Sequence, residues 1–139
     1  MDVKELKITI PGSVVSKKNS KQVTMIGGKN CPRRPMILPS KAYKAWESQA
    51  RQSAWGRAII PPLTCDVHVE AHFFYRGNQP DLSGAMESIA DCLEGVFYAD
   101  DKQIMSWDGS RLHHDKYCPR TEVTVRWEET QREMFGGRE

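Results

Sequence analysis

The stretch from Leu63 to Tyr75 constrains the fold more than any other part of the sequence. From Asp66 onward, polar and apolar residues alternate one by one, with Val67, Val69, Ala71, Phe73 and Tyr75 on one side. A period of two is that of a β-strand that buries one face. We therefore expect a long strand here, central to a sheet.

Shorter alternating segments predict further strands. Residues 6–10 form one that stops at Pro11-Gly12, and residues 103–107 and 122–127 form two more around a polar stretch. Residues 14–39 contain a glycine pair and three prolines between short β-like pieces. This composition indicates a surface hairpin or a long loop.

Two segments have the spacing of helices. Ser40 is placed to cap a helix whose apolar residues recur up to Trp55, just before Gly56. In the second segment a helix begins after Asp81 and runs to about Gly95. Its apolar residues recur at i, i+4, i+7 and i+11: Leu82, Met86, Ile89 and Leu93.

The length of 139 residues fits one domain with a single core, covering residues 1–139. The charged residues 128–139 predict a frayed tail or a short terminal helix. The sequence contains no apolar run of about 18 residues that could span a bilayer, and its N-terminus lacks the apolar stretch of a secretory signal. We therefore expect a cytoplasmic protein without a membrane partner. The four cysteines have no C-x-x-C spacing, so neither a zinc knuckle nor a redox pair is indicated.

Positive charge is concentrated in the first part of the chain. Residues 1–60 carry 12 Lys and Arg against 3 Asp and Glu, whereas residues 61–139 carry 8 against 15, although the net charge is only +2. Between Lys17 and Lys44 no acidic residue occurs, which is typical of a segment that binds phosphate backbones. A solvated basic loop would give the same pattern. The candidate DNA-binding residues are Lys17, Lys18, Lys21, Lys29, Arg33 and Arg34.

Acidic residues gather at both ends of the second predicted helix. Asp81 opens the helix, and Asp100 and Asp101 lie past its other end, so a sheet could hold these carboxylates side by side. Oxygen ligands of this kind suit Mg²⁺ or Mn²⁺, which would activate a water and align a phosphate. Asp81 could equally be only a helix N-cap, and the Asp100-Asp101 pair only a turn.

Residues 80–104 resemble the signature of RusA-type endodeoxyribonucleases. The family commonly reads P-D-L-D-N-L-x-K-x-x-x-D-A-L-x-G-x-x-x-x-D-D-x-Q-[VI], and this chain reads P-D-L-S-G-A-M-E-S-I-A-D-C-L-E-G-V-F-Y-A-D-D-K-Q-I. The close match covers about a fifth of the chain, and a looser similarity extends upstream to the strand around Glu70.

The resemblance implies an α+β fold, which we expect as a mixed β-sheet with two main helices packed on it, in a homodimer. It also implies a Mg²⁺-dependent nuclease, with Mn²⁺ as an alternative ion, that resolves Holliday junctions, which are four-way branched DNA, by symmetrical paired nicks. Asp81 and Asp101 are carried over from the signature as metal-binding catalytic residues. Asp100 and Asp91 match further acidic positions. Asp100 is another candidate ligand, whereas Asp91 is expected to brace the helix.

Two departures from the signature bear on the chemistry. The family often has a second aspartate where Ser83 stands and a lysine where Glu87 stands. Both residues lie on one stripe of the helix, so Glu87 is either a replacement ligand from one turn further along or a surface residue. Another cation would have to stabilise the developing phosphate charge. Lys102 is nearest in sequence, followed by Lys17 and Lys18, although a solvated Lys102 fits its position as well.

Histidines are candidates for a rival transition-metal site. His68 and His72 fall on one strand face with Glu70 between them, and a strand separates such residues by about 13 Å, too far to share one ion. His113-His114 offer further nitrogens. We expect these to be ordinary histidines of the sheet surface.

These patterns leave two main functions open, beside a third in which a nuclease of the same chemistry acts on flaps or forks. The first is a dimeric, Mg²⁺-dependent endonuclease that selects branched DNA by its structure. The second is a branched-DNA-binding protein of the same fold, in which Ser83 and Glu87 have cost the chain its catalytic activity.

Overall fold

The computed structural model of the chain describes residues 2–16, 21–28 and 31–129. In chain order its elements are β1 (Val3–Pro11), β2 (Lys21–Gly28), β3 (Cys31–Pro39), α1 (Lys41–Trp55), β4 (Val67–Tyr75), α2 (Leu82–Leu93), a 3₁₀ turn (Asp101–Gln103), β5 (Ile104–Ser106), β6 (Arg111–His114) and β7 (Arg120–Glu128).

β4 is the central strand of a five-stranded mixed sheet. On one side it pairs antiparallel with β7, which in turn pairs antiparallel with β1. Along its other edge it pairs in parallel with β5 at residues 67–68, and then with β6 at residues 72–75. The predicted central position of this strand is confirmed, although the strand begins at Val67 and not at Leu63.

One face of the sheet is buried under both helices. Val67, Val69, Ala71 and Phe73 of β4 are fully buried and join side chains of α1, α2, β1 and β7 in one core. The residues that alternate with them are exposed or half-buried, so the other face of the sheet is open. The predicted α+β fold, with two main helices packed on a mixed sheet, is thereby confirmed.

The first helix, α1, begins and ends where the sequence predicts. The Ser40 hydroxyl accepts a hydrogen bond from the Tyr43 amide at 3.1 Å, which is the N-cap interaction. The buried residues of α1 recur at helical spacing and face the core: Tyr43, Trp46, Ala50 and Ala54. Within the described ranges, neither helix has the length and apolar character needed to cross a membrane.

β2 and β3 form a separate antiparallel hairpin. The sequence left a hairpin and a long loop open for residues 14–39, and the structure has the hairpin. Lys21 lies in β2, and Arg33 and Arg34 lie in β3, so three candidate DNA-binding residues belong to one small sheet. The other three candidates lie outside the described residues: Lys17, Lys18 and Lys29.

β6 is a strand that the sequence does not predict, because residues 111–114 fall in the polar stretch expected between two strands. Its backbone pairs with the edge of β4, whereas its side chains are exposed or half-buried. A strand that contributes little to the core leaves no apolar alternation in the sequence.

The C-terminal part of the sheet extends into the segment expected to fray. Glu128 is the last residue of β7, and the Glu129 amide donates to the Asp2 carbonyl at 3.0 Å. Glu128, the first residue of the expected tail, therefore belongs to β7. Residues 130–139 lie outside the described part of the chain.

Gly84 marks a close approach of two segments. A Cβ at this position would collide with the Ser16 hydroxyl and lie 3.1 Å from the Ser16 Cβ. Nearby, the Ser88 hydroxyl donates to the Val15 carbonyl at 3.0 Å. The segment that precedes the basic region thus packs along the start of α2, which explains a glycine where alanine would favour the helix by about 1 kcal/mol.

Substituting Gly84 by alanine tests this contact. Gly84→Ala is expected to lower the free energy of unfolding by about 1–3 kcal/mol, because the new methyl group overpacks the site. Urea denaturation measures the change. Gly56→Ala is the matched control, since Gly56 has φ of −62° and its nearest neighbour is 4.0 Å away. Adding Ser16→Gly to Gly84→Ala should restore stability, and a Gly84→Ala chain as stable as the wild type would contradict the packing argument.

Candidate metal centre

A tight reversal at the end of α2 returns the chain to its own helix. Gly95 has φ of +83°, which favours glycine, and its amide donates to the Tyr98 carbonyl at 2.7 Å. The Tyr98 ring is fully buried, and its hydroxyl donates to the Ala90 carbonyl at 2.7 Å. Because this ring is anchored to α2, the residues that follow it emerge beside the C-terminal end of the helix.

Gln103 holds the turn that carries two aspartates. Its Oε1 accepts from the Asp100 amide at 2.8 Å, and its Nε2 donates to the carbonyls of Leu63 and Cys65, each at 2.8 Å. Asp100 closes the turn by accepting from the Lys102 amide at 2.9 Å. A carboxamide suits this position because one side chain must both donate and accept.

Three carboxylates meet at this turn. Glu94, Asp100 and Asp101 each offer an oxygen, and these atoms all lie within 4.8 Å of one another. The Asp101 amide donates to Glu94 Oε1 at 3.0 Å, which fixes Glu94 against the turn. Among the residues that the structure describes, this is the one group of three or more ligating side chains at such a spacing. An all-oxygen, solvent-accessible set of this kind fits a hard cation that keeps some of its waters.

The two neighbouring aspartates differ in proton affinity. Burial raises the pKa of Asp101, and the carboxylates of Asp100, Glu94 and Asp91 raise it further. The hydrogen bond from the Lys102 amide lowers the pKa of Asp100. Negative charge is therefore most crowded at Asp101, and a bound cation would relieve that crowding.

A groove of about 300 Å³ opens beside Asp101. One wall comes from α2 and the other from the segment after the turn. The stripe predicted for Ser83 and Glu87 therefore borders the same groove as Asp101. The complete lining is Ser83, Met86, Glu87, Ala90, Asp101, Ile104 and Trp107.

Asp81 lies at the opposite end of α2. Its Oδ2 accepts from the Gly84 amide at 3.2 Å and from the Ser83 hydroxyl at 3.0 Å, which is the N-cap arrangement. Asp81 does not belong to the three-carboxylate group. Its hydrogen-bond partner Ser83, however, lines the groove. The structure thus brings Glu87 and Asp101 to one groove and leaves Asp81 at its helix terminus.

Sequence reasoning missed Glu94. Its position directly before Gly95 could have revealed it. A tight turn at Gly95 returns the chain to the end of the helix, so that Asp101, seven residues after Glu94, lies next to it. The candidate substitute cation, Lys102, is exposed, and its charge helps to lower the pKa of Asp100. Asp91 lies near enough for its charge to raise the pKa of Asp101.

Three of the histidines, His68, His72 and His113, lie on the open face of the sheet, whereas His114 packs against Tyr75 on the other side. His68 Nδ1 is 2.8 Å from the Ser106 hydroxyl. His72 instead lies 2.9 Å from His113 and 2.6 Å from Glu70. Parallel pairing of β4 with β6 brings His72 and His113 together, which spacing along one strand does not reveal.

Comparison with known proteins identifies one family. The family described as Endodeoxyribonuclease RusA matches residues 11–126, which is most of the chain. A comparison with curated proteins gave no match.

Removing the anchor of the turn tests its role without removing a carboxylate. Gln103→Ala is expected to weaken Mn²⁺ binding by about 10-fold, because outer partners that hold ligands in place typically contribute 10- to 100-fold. Isothermal titration calorimetry measures the affinity. Met105→Ala, at a side chain that is 53% exposed on the next strand, serves as the control. Equal affinities of Gln103→Ala and the wild type would refute a positioning role for Gln103.

Proposed function

The chain belongs to the RusA endodeoxyribonuclease family, and on that basis we propose that it resolves Holliday junctions by symmetrical paired nicks in a Mg²⁺-dependent reaction. The observation that carries the proposal is the group of Glu94, Asp100 and Asp101, which lies within the family signature and beside a groove. Carboxylates at this spacing are the ligands that a phosphate-processing cation requires.

Asp100 and Asp101 would hold the ion, with Glu94 as the neighbouring carboxylate. Asp81 and Glu87, from the helix wall, are the further candidate ligands. Mg²⁺ usually takes one or two protein carboxylates and keeps several waters, and Mn²⁺ shares its preference for oxygen. When bound, the ion would supply a water of lowered pKa and neutralise charge on the scissile phosphate.

The residues of the chain would position these groups. The Ser83 hydroxyl orients the Asp81 carboxylate at 3.0 Å, and so takes the place of the second family aspartate as a hydrogen-bond donor rather than as a ligand. Glu87 extends along the groove wall towards the substrate space.

A cation must replace the family lysine, because negative charge develops on the phosphate as the bond breaks. Lys102 is the first candidate, since it is exposed on the turn beside Asp100. Lys17 and Lys18 are the second, because they directly follow Ser16, which packs against Gly84 near Asp81. Asp81, Asp101, Glu87 and Lys102 are thus the proposed catalytic set.

The basic segment would bind the DNA backbone. Ser16, the residue before this segment, packs beside the N-terminus of α2, and the segment includes the hairpin of β2 and β3. Two copies related by a two-fold axis would present two grooves to opposed strands of a four-way junction. The residues proposed to contact phosphates are Lys17, Lys18, Lys21, Lys29, Arg33 and Arg34.

A second candidate function follows from the departures at Ser83 and Glu87. A chain that lacks one family carboxylate and carries an acid in place of the lysine could bind branched DNA without cutting it. Asp101 and its partners would then stabilise the turn and bind a cation, and the basic segment would still hold the junction.

Cleavage of a labelled four-way junction distinguishes the two functions. With Mg²⁺, the wild type is expected to make paired nicks in the junction and none in linear duplex, and chelator should abolish them. Asp101→Asn and Asp81→Asn should each lower the nicking rate by at least about 100-fold, as the loss of one transition-state contact does, while junction binding persists. Glu128→Gln, on the exposed end of β7, is the matched carboxylate-to-amide control. Tight binding without nicks under Mg²⁺ and Mn²⁺ would exclude the nuclease in favour of the binding protein.

The salt dependence of junction binding tests the basic hairpin. The slope of log K against log salt concentration is negative, and each lost phosphate contact makes it shallower by about 0.9. Arg33→Ala/Arg34→Ala should therefore weaken binding and make the slope shallower by about 2. Fluorescence anisotropy over a salt series gives both values. Lys4→Ala/Lys7→Ala removes the same charge from β1 and should leave the slope unchanged. An unchanged slope for the arginine variant would mean that the hairpin is solvated and does not contact phosphates.

A further inference from the structure

His72 and His113 lie side by side on the sheet face opposite α1 and α2. His72 Nδ1 is 2.9 Å from His113 Nε2, and the ring centroids are 5.1 Å apart. Both side chains are half-buried, and Phe74 stacks on His113 with a centroid distance of 4.5 Å. Two imidazole nitrogens from neighbouring strands therefore converge on one point.

Glu70 fixes the orientation of the His72 ring. Its Oε2 lies 2.6 Å from His72 Nε2, and Arg126 binds its other oxygen at 3.0 Å. Because the carboxylate accepts, we assign the hydrogen to Nε2, which leaves Nδ1 directed at His113. A carboxylate behind a histidine is the usual outer partner of a metal-binding imidazole, where it sets the tautomer and raises the basicity of the ligand.

The short distance between the two rings is explained without an ion. One hydrogen between the facing nitrogens accounts for their separation of 2.9 Å. A metal ion would take the place of this hydrogen, because neutral imidazole donates its lone pair to a cation.

The spacing of the two nitrogens is close to that of one tetrahedral site. With metal–nitrogen distances of about 2.0–2.1 Å, two nitrogens on one such ion lie about 3.3 Å apart. The observed 2.9 Å requires a small opening of the pair. Zn²⁺ and similar borderline ions suit imidazole, whereas Mg²⁺ suits carboxylate and water. The pair would therefore select a different class of ion from the carboxylate group around Asp101.

Water would have to supply the remaining ligands at this pair. Among the described residues, no third ligating side chain joins His72 and His113 within 4.8 Å. Glu122 of β7 is the register partner of His72, but its carboxylate is bound by Arg120 at 2.8 Å.

Two of the three arginines near the pair are matched by carboxylates. Arg126 forms ion pairs with Glu5 and Glu70, and Arg120 forms ion pairs with Asp115 and Glu122. Each of these two guanidinium groups thus meets two carboxylates. The third arginine, Arg111, is exposed to solvent, which screens its charge.

We propose that His72 and His113 form a second metal site, which takes a borderline divalent ion such as Zn²⁺. Glu70 is the positioning residue for His72, and water completes the coordination. Since β6 has four residues, an ion between His72 and His113 would fasten this short strand to the centre of the sheet.

Zinc binding by the full chain in excess Mg²⁺ tests the proposal, because Mg²⁺ competes for carboxylate oxygens and leaves the imidazoles. In competition with a chromophoric chelator, the wild type should bind one more Zn²⁺ per chain than His113→Ala does. His114→Ala is the matched control, since His114 packs edge-on against Tyr75 with a centroid distance of 5.5 Å. Glu70→Gln should weaken zinc binding by about 10- to 100-fold while both donor nitrogens remain.

A second measurement requires no substitution. In the wild type, Zn²⁺ should shift the ring ¹⁵N resonances of His72 and His113 and leave those of His68 in place. Equal zinc stoichiometry of the wild type and His113→Ala would overturn the proposal. Unchanged His72 and His113 resonances at saturating zinc would overturn it as well.

Discussion

The buried Tyr98 ring is the contact on which the acidic turn depends. Its hydroxyl bonds the Ala90 carbonyl of α2, and the residues on either side of it exchange backbone hydrogen bonds with Leu63. Burial raises the pKa of Tyr98 above its usual range, so its hydroxyl keeps its proton and remains a donor. Gln103 adds the second attachment, to Leu63 and Cys65. Neutral, well-packed contacts thus hold together carboxylates that would otherwise repel one another.

The effect of these crowded carboxylates on the stability of the fold depends on pH. The raised pKa of Asp101 means that the folded state holds this proton more tightly than the unfolded chain does. Asp101 therefore lowers the free energy of unfolding when it is ionised. This loss is absent below the ordinary pKa of aspartate, grows as the pH rises to the raised pKa of Asp101, and is complete above it. The lowered pKa of Asp100 acts in the opposite sense, since its stabilising contribution is present above the ordinary pKa and is lost as the pH falls. A cation at the turn would remove the Asp101 penalty without loss of the Asp100 contribution.

The features that could be predicted from the sequence are those set by local chemistry. Alternation over residues 67–75 predicts β4, and Ser40 and Asp81 cap their helices as their residue types indicate. Contacts between distant segments could not be predicted in this way. His72 and His113 are 41 residues apart, and a parallel strand pairing with little apolar pattern brings them together. The family signature indicates Asp100 and Asp101, but it does not reveal that Glu94, rather than Asp81, is the carboxylate beside them.

Two short strands, β5 and β6, pair with separate parts of the same edge of β4. Between these two strands, of three and four residues, the Ser110 hydroxyl accepts from the Ala71 amide at 2.9 Å, so a side chain takes the place of a strand. On the other border, β1 carries exposed charges at Lys4, Glu5 and Lys7. Long, regular borders invite strand addition from another molecule, and short, broken or charged borders resist it. This sheet is therefore protected against edge-to-edge aggregation, and the proposed pairing of two copies would have to use its faces and helices.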